Sequence, residues 1–216
     1  MDQVKYILLD LDGTLTDPKQ GIHACIHYAM NKLGMPLPEN TDLDWTIGPP
    51  LKQSFEILLE KMGRKADAEQ ALIFYRERFA DVGLFENQVY PQVKETLQIL
   101  KNKGYVLYLA TAKPQIYAQR ILAHFELLEY FQYAYGSELN GDLTNKADLI
   151  AYILEEEKID ARECIMVGDR QYDILGARHH QIETIAVRYG YGTAQELDDA
   201  SPKYRVQSFN EIIDIL

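Results

Sequence analysis

Two aspartates two residues apart close the first apolar run of the chain, in Asp10-Leu11-Asp12-Gly13-Thr14. In an extended segment that spacing puts both side chains on one side. Gly13 permits a tight turn and close approach of the backbone. Two carboxylates held there repel each other and are costly to keep together without a compensating cation. Similar features recur further on. A second apolar run, Tyr105 to Ala110, leads directly into Thr111, with Lys113 close behind. A third, Cys164 to Val167, ends in Gly168-Asp169. Asp173 follows on the first turn of the next helix, at a spacing that lets it look back towards Asp169. Lys146 opens a helix after the Gly141-Asp142 turn. Acids, a hydroxyl and a lysine thus all fall at strand exits or helix starts.

These residue types suit phosphoryl transfer. One carboxylate can attack phosphorus and carry the group as an aspartyl-phosphate. A second can protonate the leaving oxygen and then deprotonate water. Asp10 with Asp169 offers hard oxygen ligands suited to Mg2+, which keeps several waters and binds substrate phosphate. Thr111 and Lys146 can hydrogen-bond and neutralise the equatorial phosphoryl oxygens. Lys146 also offsets the repulsion between phosphate and an anionic nucleophile.

The elements that must position these groups are legible as periodicity. Val4 to Leu9, Tyr105 to Ala110, Cys164 to Val167 and Glu183 to Val187 are continuous apolar runs. Such runs predict strands buried on both faces of a parallel sheet. Helical stripes separate them over residues 91–102, 114–125 and 145–156, with Pro114 expected in a first turn. The pattern predicts an α/β fold, a three-layer sandwich with a mostly parallel Rossmann-like sheet. Residues 16–87 break the rhythm with three helical patterns, over 21–33, 51–62 and 67–82. They read as a small all-helical cap domain inserted after the first strand. The core domain is then residues 1–15 and 88–216, and Ser208 with Glu211 predicts a capping box for a short final helix.

With these motifs in this order, the chain resembles the haloacid dehalogenase-like hydrolases, in particular the phosphoglycolate phosphatase-like branch with a small helical cap. The resemblance covers the whole chain. It is carried by DxDGT at Asp10 to Thr14, the strand ending in Thr111, Lys146 at a helix start, and GDxxxD at Gly168-Asp169 with Asp173. It implies that Asp10 is nucleophile and metal ligand. Asp12 is the implied general acid/base, ligating Mg2+ through its backbone carbonyl. Thr111 and Lys146 are the implied phosphate ligands, Asp169 completes the metal site, and Asp173 supports a metal water or orients Lys146. The family often has Asn or Ser after the Thr of its second motif. Ala112 stands there in this chain, which leaves the roles of Ala112 and Lys113 open. Arg188 to Gly192 (RYGYG), with Glu196-Leu197, resembles the segment that follows the fourth motif.

The implied activity is Mg2+-dependent hydrolysis of a small phosphomonoester, such as phosphoglycolate, a nucleotide or a sugar phosphate. Asp12 argues for phosphate chemistry, because the dehalogenases lack this acid and halide leaves without a proton. The alternatives are a phosphosugar mutase on the same core and a non-enzymatic phosphate-responsive interaction protein. The second is expected to have lost a catalytic carboxylate or the lysine, and all are present.

Composition excludes other classes. The 216 residues are 47% hydrophobic and 25% charged, long enough for a sizeable core. No apolar run approaches the roughly 20 residues that cross a bilayer. The start of the sequence does not read as a signal peptide. A net charge of −11 disfavours nucleic acid and anionic membrane as partners, so any phosphate site must be local. The expected partner is a small phosphorylated metabolite. Cys25 and Cys164 form no CxxC motif, so a reducing, cytoplasmic setting is expected, with the chain a monomer or weak homodimer. His23 and His27 share a helix face at i, i+4 without an evident third ligand, and read as cap surface. Arg170 is expected either to meet a substrate anion or to pair with a nearby acid.

Overall fold

A computed structural model describes residues 4–216. The chain begins with β1 (Tyr6–Leu9) and a short β2 (Thr16–Asp17). Three helices follow, α1 (Lys19–Lys32), α2 (Leu51–Glu60) and α3 (Ala68–Arg78). A short β3 (Gln88–Val89) pairs with β2. Then come α4 (Val93–Asn102), β4 (Val106–Pro114), α5 (Gln115–His124), β5 (Tyr133–Ser137), α6 (Lys146–Glu157) and β6 (Cys164–Gly168). The chain closes with α7 (Gln171–His179), β7 (Glu183–Val187), α8 (Ala194–Ala200), β8 (Tyr204–Val206) and the single turn α9 (Ile212–Ile215). Among the described residues no helix is long and apolar enough to cross a membrane.

The main sheet has the order β5-β4-β1-β6-β7-β8, with neighbouring strands parallel. The central strands are buried on both faces, which is why their sequence is apolar throughout rather than alternating. Leu8, Tyr108 and Met166 turn one way and pack on Leu149, Ile150 and Ile153 of α6. Their neighbours Leu9, Leu109 and Val167 are equally buried. The fold is therefore the Rossmann-like parallel sandwich with a helical cap inserted after the first strand.

The chain divides into two compact units, residues 18–88 and the remainder. In the first unit, α1 buries Ile22, Ile26 and Met30, α2 buries Phe55 and Leu59, and α3 contributes Ala71 and Tyr75. The helical pattern expected over 67–82 is α-helical as far as Arg78 and continues as a wider π-helical turn over Phe79–Gly83. That turn lies against α1 because both contact points are glycines. A Cβ on Gly21 would stand 2.1 Å from the Gly83 carbonyl oxygen. Arg78 then grips Glu86 through two hydrogen bonds of 2.6 and 2.8 Å.

Local expectations fail in three places. The edge strands β5 and β8 carry no apolar run, because an edge strand pairs on one side only and tolerates residues such as Gly136 and Arg205. Pro114 ends β4 in extended geometry (ψ 129°) instead of sitting in the first turn of α5. Ser208 donates to the Glu211 carboxylate at 2.9 Å rather than capping the backbone, so the reciprocal box does not form.

Gly176 of α7 shows what the packing of α6 on α7 demands. A Cβ there would lie 2.8 Å from both Cβ and Cγ of Lys146. At an exposed helical position, Gly→Ala stabilises by about 1 kcal/mol. At this buried one the overpacking cost of about 1–3 kcal/mol outweighs that gain. Gly176→Ala is therefore expected to lower the urea midpoint; a higher midpoint would show that α7 can move away from Lys146 at no cost.

Candidate active site

Three strand exits meet at one level. Leu9 is in register with Leu109 on one side and Val167 on the other. Asp10 therefore emerges one residue beyond that level, and Thr111 and Asp169 two. β1 lies where the order of strands reverses, and open parallel sheets bind ligands outside the carboxyl ends of strands at such a point. Beyond β1 the chain turns at Gly13, whose φ of 81° suits glycine. A Cβ at Gly13 would also stand 2.1 Å from Asp169 Oδ2. Only a glycine lets the acidic loop of β1 close on the acid that follows β6.

Lys146, the first residue of α6, reaches three oxygens. Its ammonium lies 3.0 Å from Asp10 Oδ1, 2.8 Å from Asp173 Oδ1 and 2.7 Å from the Ala110 carbonyl. Asn145 seats the lysine by capping α6, its side-chain oxygen accepting from the N–H groups of Ala147 and Asp148. Asp173 performs a similar service for α7, where its Oδ2 accepts from the Arg170 N–H at 3.1 Å. Asp12 Oδ2 forms a separate ion pair with Lys113 at 2.8 Å. Thr111 is buried, and its Oγ1 accepts from the Lys113 N–H at 3.3 Å.

Electrostatics follow from burial. Desolvation, with Asp173 and Asp10 adding to it, drives the Asp169 carboxyl well above the usual carboxylate range. Burial pushes Asp173 up to about 6 against the pull of Lys146. It also raises Asp12, with Lys113 opposing. For Lys146 burial alone would favour the neutral amine, but Asp10 and Asp173 reverse that and hold the ammonium firmly protonated.

Carboxylate oxygens of Asp10, Asp169 and Asp173 all lie within 4.8 Å of one another. Asp169 Oδ1 and Asp12 Oδ1 are buried without a hydrogen-bond partner. Four acids facing two lysines leave an excess of negative charge in a desolvated site. A divalent cation with a preference for oxygen fits that donor set. The six residues named from sequence thus all stand at the carboxyl end of β1, β4 and β6. The geometry adds the carboxylate of Asp173 to the candidate ligands.

The RYGYG loop, which the sequence marks only by resemblance and without a role, closes on the site. Tyr191 donates its backbone N–H to Asp169 Oδ2 at 2.7 Å, and Tyr189 donates its hydroxyl to the Thr14 carbonyl at 2.6 Å. Cβ atoms at Gly190 and Gly192 would lie 2.3 Å from Asp169 Cβ and 2.0 Å from the Asp169 carbonyl oxygen. The signal was the alternation of Tyr and Gly in RYGYG, which marks a backbone pressed against another. Arg170 pairs with Glu196 at 2.8 Å. His23 faces Asp44 at 3.2 Å, and no group of three metal-ligating side chains includes it or His27 among the described residues. Burial pushes the Cys164 thiol up to about 12, consistent with an inert core cysteine.

The raised carboxyls carry a sign. Where the folded pKa exceeds the unfolded one, the folded state holds the extra proton, and stability falls as pH rises through that window. For Asp173 the window runs from about 4 to about 6; for Asp169 it extends higher. Metal-free Asp169→Asn protein is therefore expected to melt at a higher temperature than wild type at pH 7. Wild type should gain thermal stability on adding Mg2+, and the variant should gain much less. Thermal melts of both proteins in EDTA and in Mg2+ test this; equal gains would remove Asp169 from the metal site.

The model of the haloacid dehalogenase-like hydrolase family matches residues 7–187. A protein of Pseudomonas aeruginosa named 5′-nucleotidase is 42% identical over 199 residues, which are 92% of this chain and 89% of that one. A protein of Mycobacterium tuberculosis named tyrosine-protein kinase PtkA is 34% identical over 90% of this chain and 66% of its own length. The crystal structure of a predicted phosphatase from Clostridium acetobutylicum superposes with a TM-score of 0.91 at 39% identity, covering 98% of this chain and 97% of the other. By sequence match and by fold, the chain belongs to the haloacid dehalogenase-like hydrolases, in the phosphoglycolate phosphatase-like branch with a small helical cap.

Proposed function

We infer that the protein is a Mg2+-dependent phosphatase that hydrolyses a small phosphomonoester through an aspartyl-phosphate on Asp10. The observation that carries this reading is the buried pairing of Asp10 with Lys146 beside the carboxylates of Asp169 and Asp173. Lys146 fixes Oδ1 of Asp10 and leaves Oδ2 to attack phosphorus. As the new O–P bond forms, the ester P–O bond breaks, and Asp12 gives its proton to the departing alkoxide. In the second half, Asp12 takes a proton from water as that water attacks phosphorus. The bond to Asp10 breaks, and inorganic phosphate leaves. Thr111 and its backbone neighbours supply hydrogen bonds to the phosphoryl oxygens. Asp10, Asp169 and the Asp12 carbonyl would hold a Mg2+ ion, which would supply positive charge to those oxygens.

The site recognises a phosphoryl group, so the remainder of the substrate must be chosen elsewhere. We assign that choice to the helical insertion, residues 16–87. Identity with the protein named 5′-nucleotidase favours a nucleoside monophosphate among small phosphomonoesters. A net charge of −11 weighs against nucleic acids.

The test is turnover of p-nitrophenyl phosphate and of a panel of nucleotides, sugar phosphates and phosphoglycolate, with and without Mg2+. EDTA should silence the enzyme and Mg2+ restore it. Asp10→Asn should lower kcat by about 10³-fold or more while leaving the protein folded. A folded Asp10→Asn protein that kept about a tenth of the wild-type rate would rule out the covalent route.

A further inference from the structure

We propose that Lys113 is a positioning residue for the proton-carrying acid, holding the Asp12 carboxylate in the orientation from which it serves the leaving oxygen. This rests on the reading of Asp12 as general acid and base given above. The two lysines of the site divide its acids. Lys146 is engaged by Asp10, Asp173 and the Ala110 carbonyl, and Asp12 pairs instead with Lys113. Both partners of that second pair are nearly buried, with side chains 6% and 12% exposed. The pair occupies Asp12 Oδ2 only. Oδ1 is buried without a hydrogen-bond partner, and it is the oxygen left to carry the proton.

The fold goes to some length to place Lys113 there. Along β4 and β5, Thr111 is in register with Gly136, yet Pro114 is in register with Ser137. Three steps on one strand match one on the other, so Ala112 and Lys113 bulge out of the ladder. Bulges of this kind re-aim side chains beside active sites. Several contacts hold this one. Ser137 donates its hydroxyl to the Ala112 carbonyl at 2.8 Å. Thr111 Oγ1 accepts from the Lys113 N–H. Gly136 leaves the room, since a Cβ there would lie 2.5 Å from the Lys113 carbonyl oxygen. With the ammonium removed, Asp12 would be an uncompensated buried charge and would leave this orientation.

The experiment separates a positioning role from a direct contact with phosphate. Single-turnover phosphorylation is measured with an alkyl phosphate, whose leaving oxygen needs a proton, and with p-nitrophenyl phosphate, whose leaving group does not. Lys113→Met is expected to lose about 10²-fold on the first and less than about 3-fold on the second. Lys113→Arg should recover part of the loss on the alkyl ester. In an Asp12→Asn background, Lys113→Met should cost less than about 2-fold more, because the group it positions is already gone. Should Lys113→Met fail to fold, Lys113→Gln carries the same comparison. Equal losses on both esters, or a full second loss in the Asp12→Asn background, would place Lys113 on the phosphoryl group and overturn the proposal. Unchanged rates would make the ion pair merely structural and overturn it too. Wild-type protein without turnover of any phosphomonoester would instead overturn the phosphatase reading on which the proposal depends.

Discussion

Like charges repel, and Asp10, Asp12, Asp169 and Asp173 are all held out of water at the end of one sheet. In such surroundings carboxylates either take up protons or find cations. Lys146 and Lys113 meet two of the four charges. The oxygens of Asp10, Asp169 and Asp173 are drawn close enough for a divalent cation to meet the rest. Much of the core's local architecture around the site can be traced to that requirement. Asn145 caps α6 so that Lys146 starts it, Asp173 caps α7 while it pairs with Lys146, and a bulge in β4 delivers Lys113.

Crowding of this kind needs backbone that comes closer than side chains allow. Gly13 lies against Asp169, and Gly190 and Gly192 press on the same residue from the loop after β7. Gly168 stands where a Cβ would be 2.3 Å from the Asp173 carboxylate. Asp169 is thereby closed in from two loops, which explains both its complete burial and the rise in its pKa. The same exclusion of water would strengthen every interaction with a bound phosphoryl group.

The surface charge and the site chemistry act at different ranges. A net charge of −11 repels anions at a distance, although salt screens that field within about 10 Å. Inside the site, short-range partners decide. Lys146, Lys113 and the backbone groups at the exit of β4 act over less than that length. An acidic protein can therefore carry a phosphate site without contradiction.

The sequence by itself determined the sheet and the helical insertion, and it named six candidate residues that the fold gathers at the ends of the strands. Each has a local cause. A strand buried on both faces must be apolar throughout, as Ile7 to Leu9 and Ile165 to Val167 are, and an acid directly after such a run has nowhere to go but the strand's end. Edge strands β5 and β8 carried no such mark, because each is short, pairs on one side only and mixes small or polar residues with its apolar ones, as in YAYGS and YRV. Only the tertiary structure decided which cation meets which acid. Lys146 and Asp10 are 136 residues apart, and nothing in their spacing states that Asp173 and the Ala110 carbonyl share the same ammonium. It also decided the pairing of Lys113 with Asp12, which depends on a two-residue slip between β4 and β5. A register shift is a property of two strands brought together by the fold, and neither strand's sequence contains it.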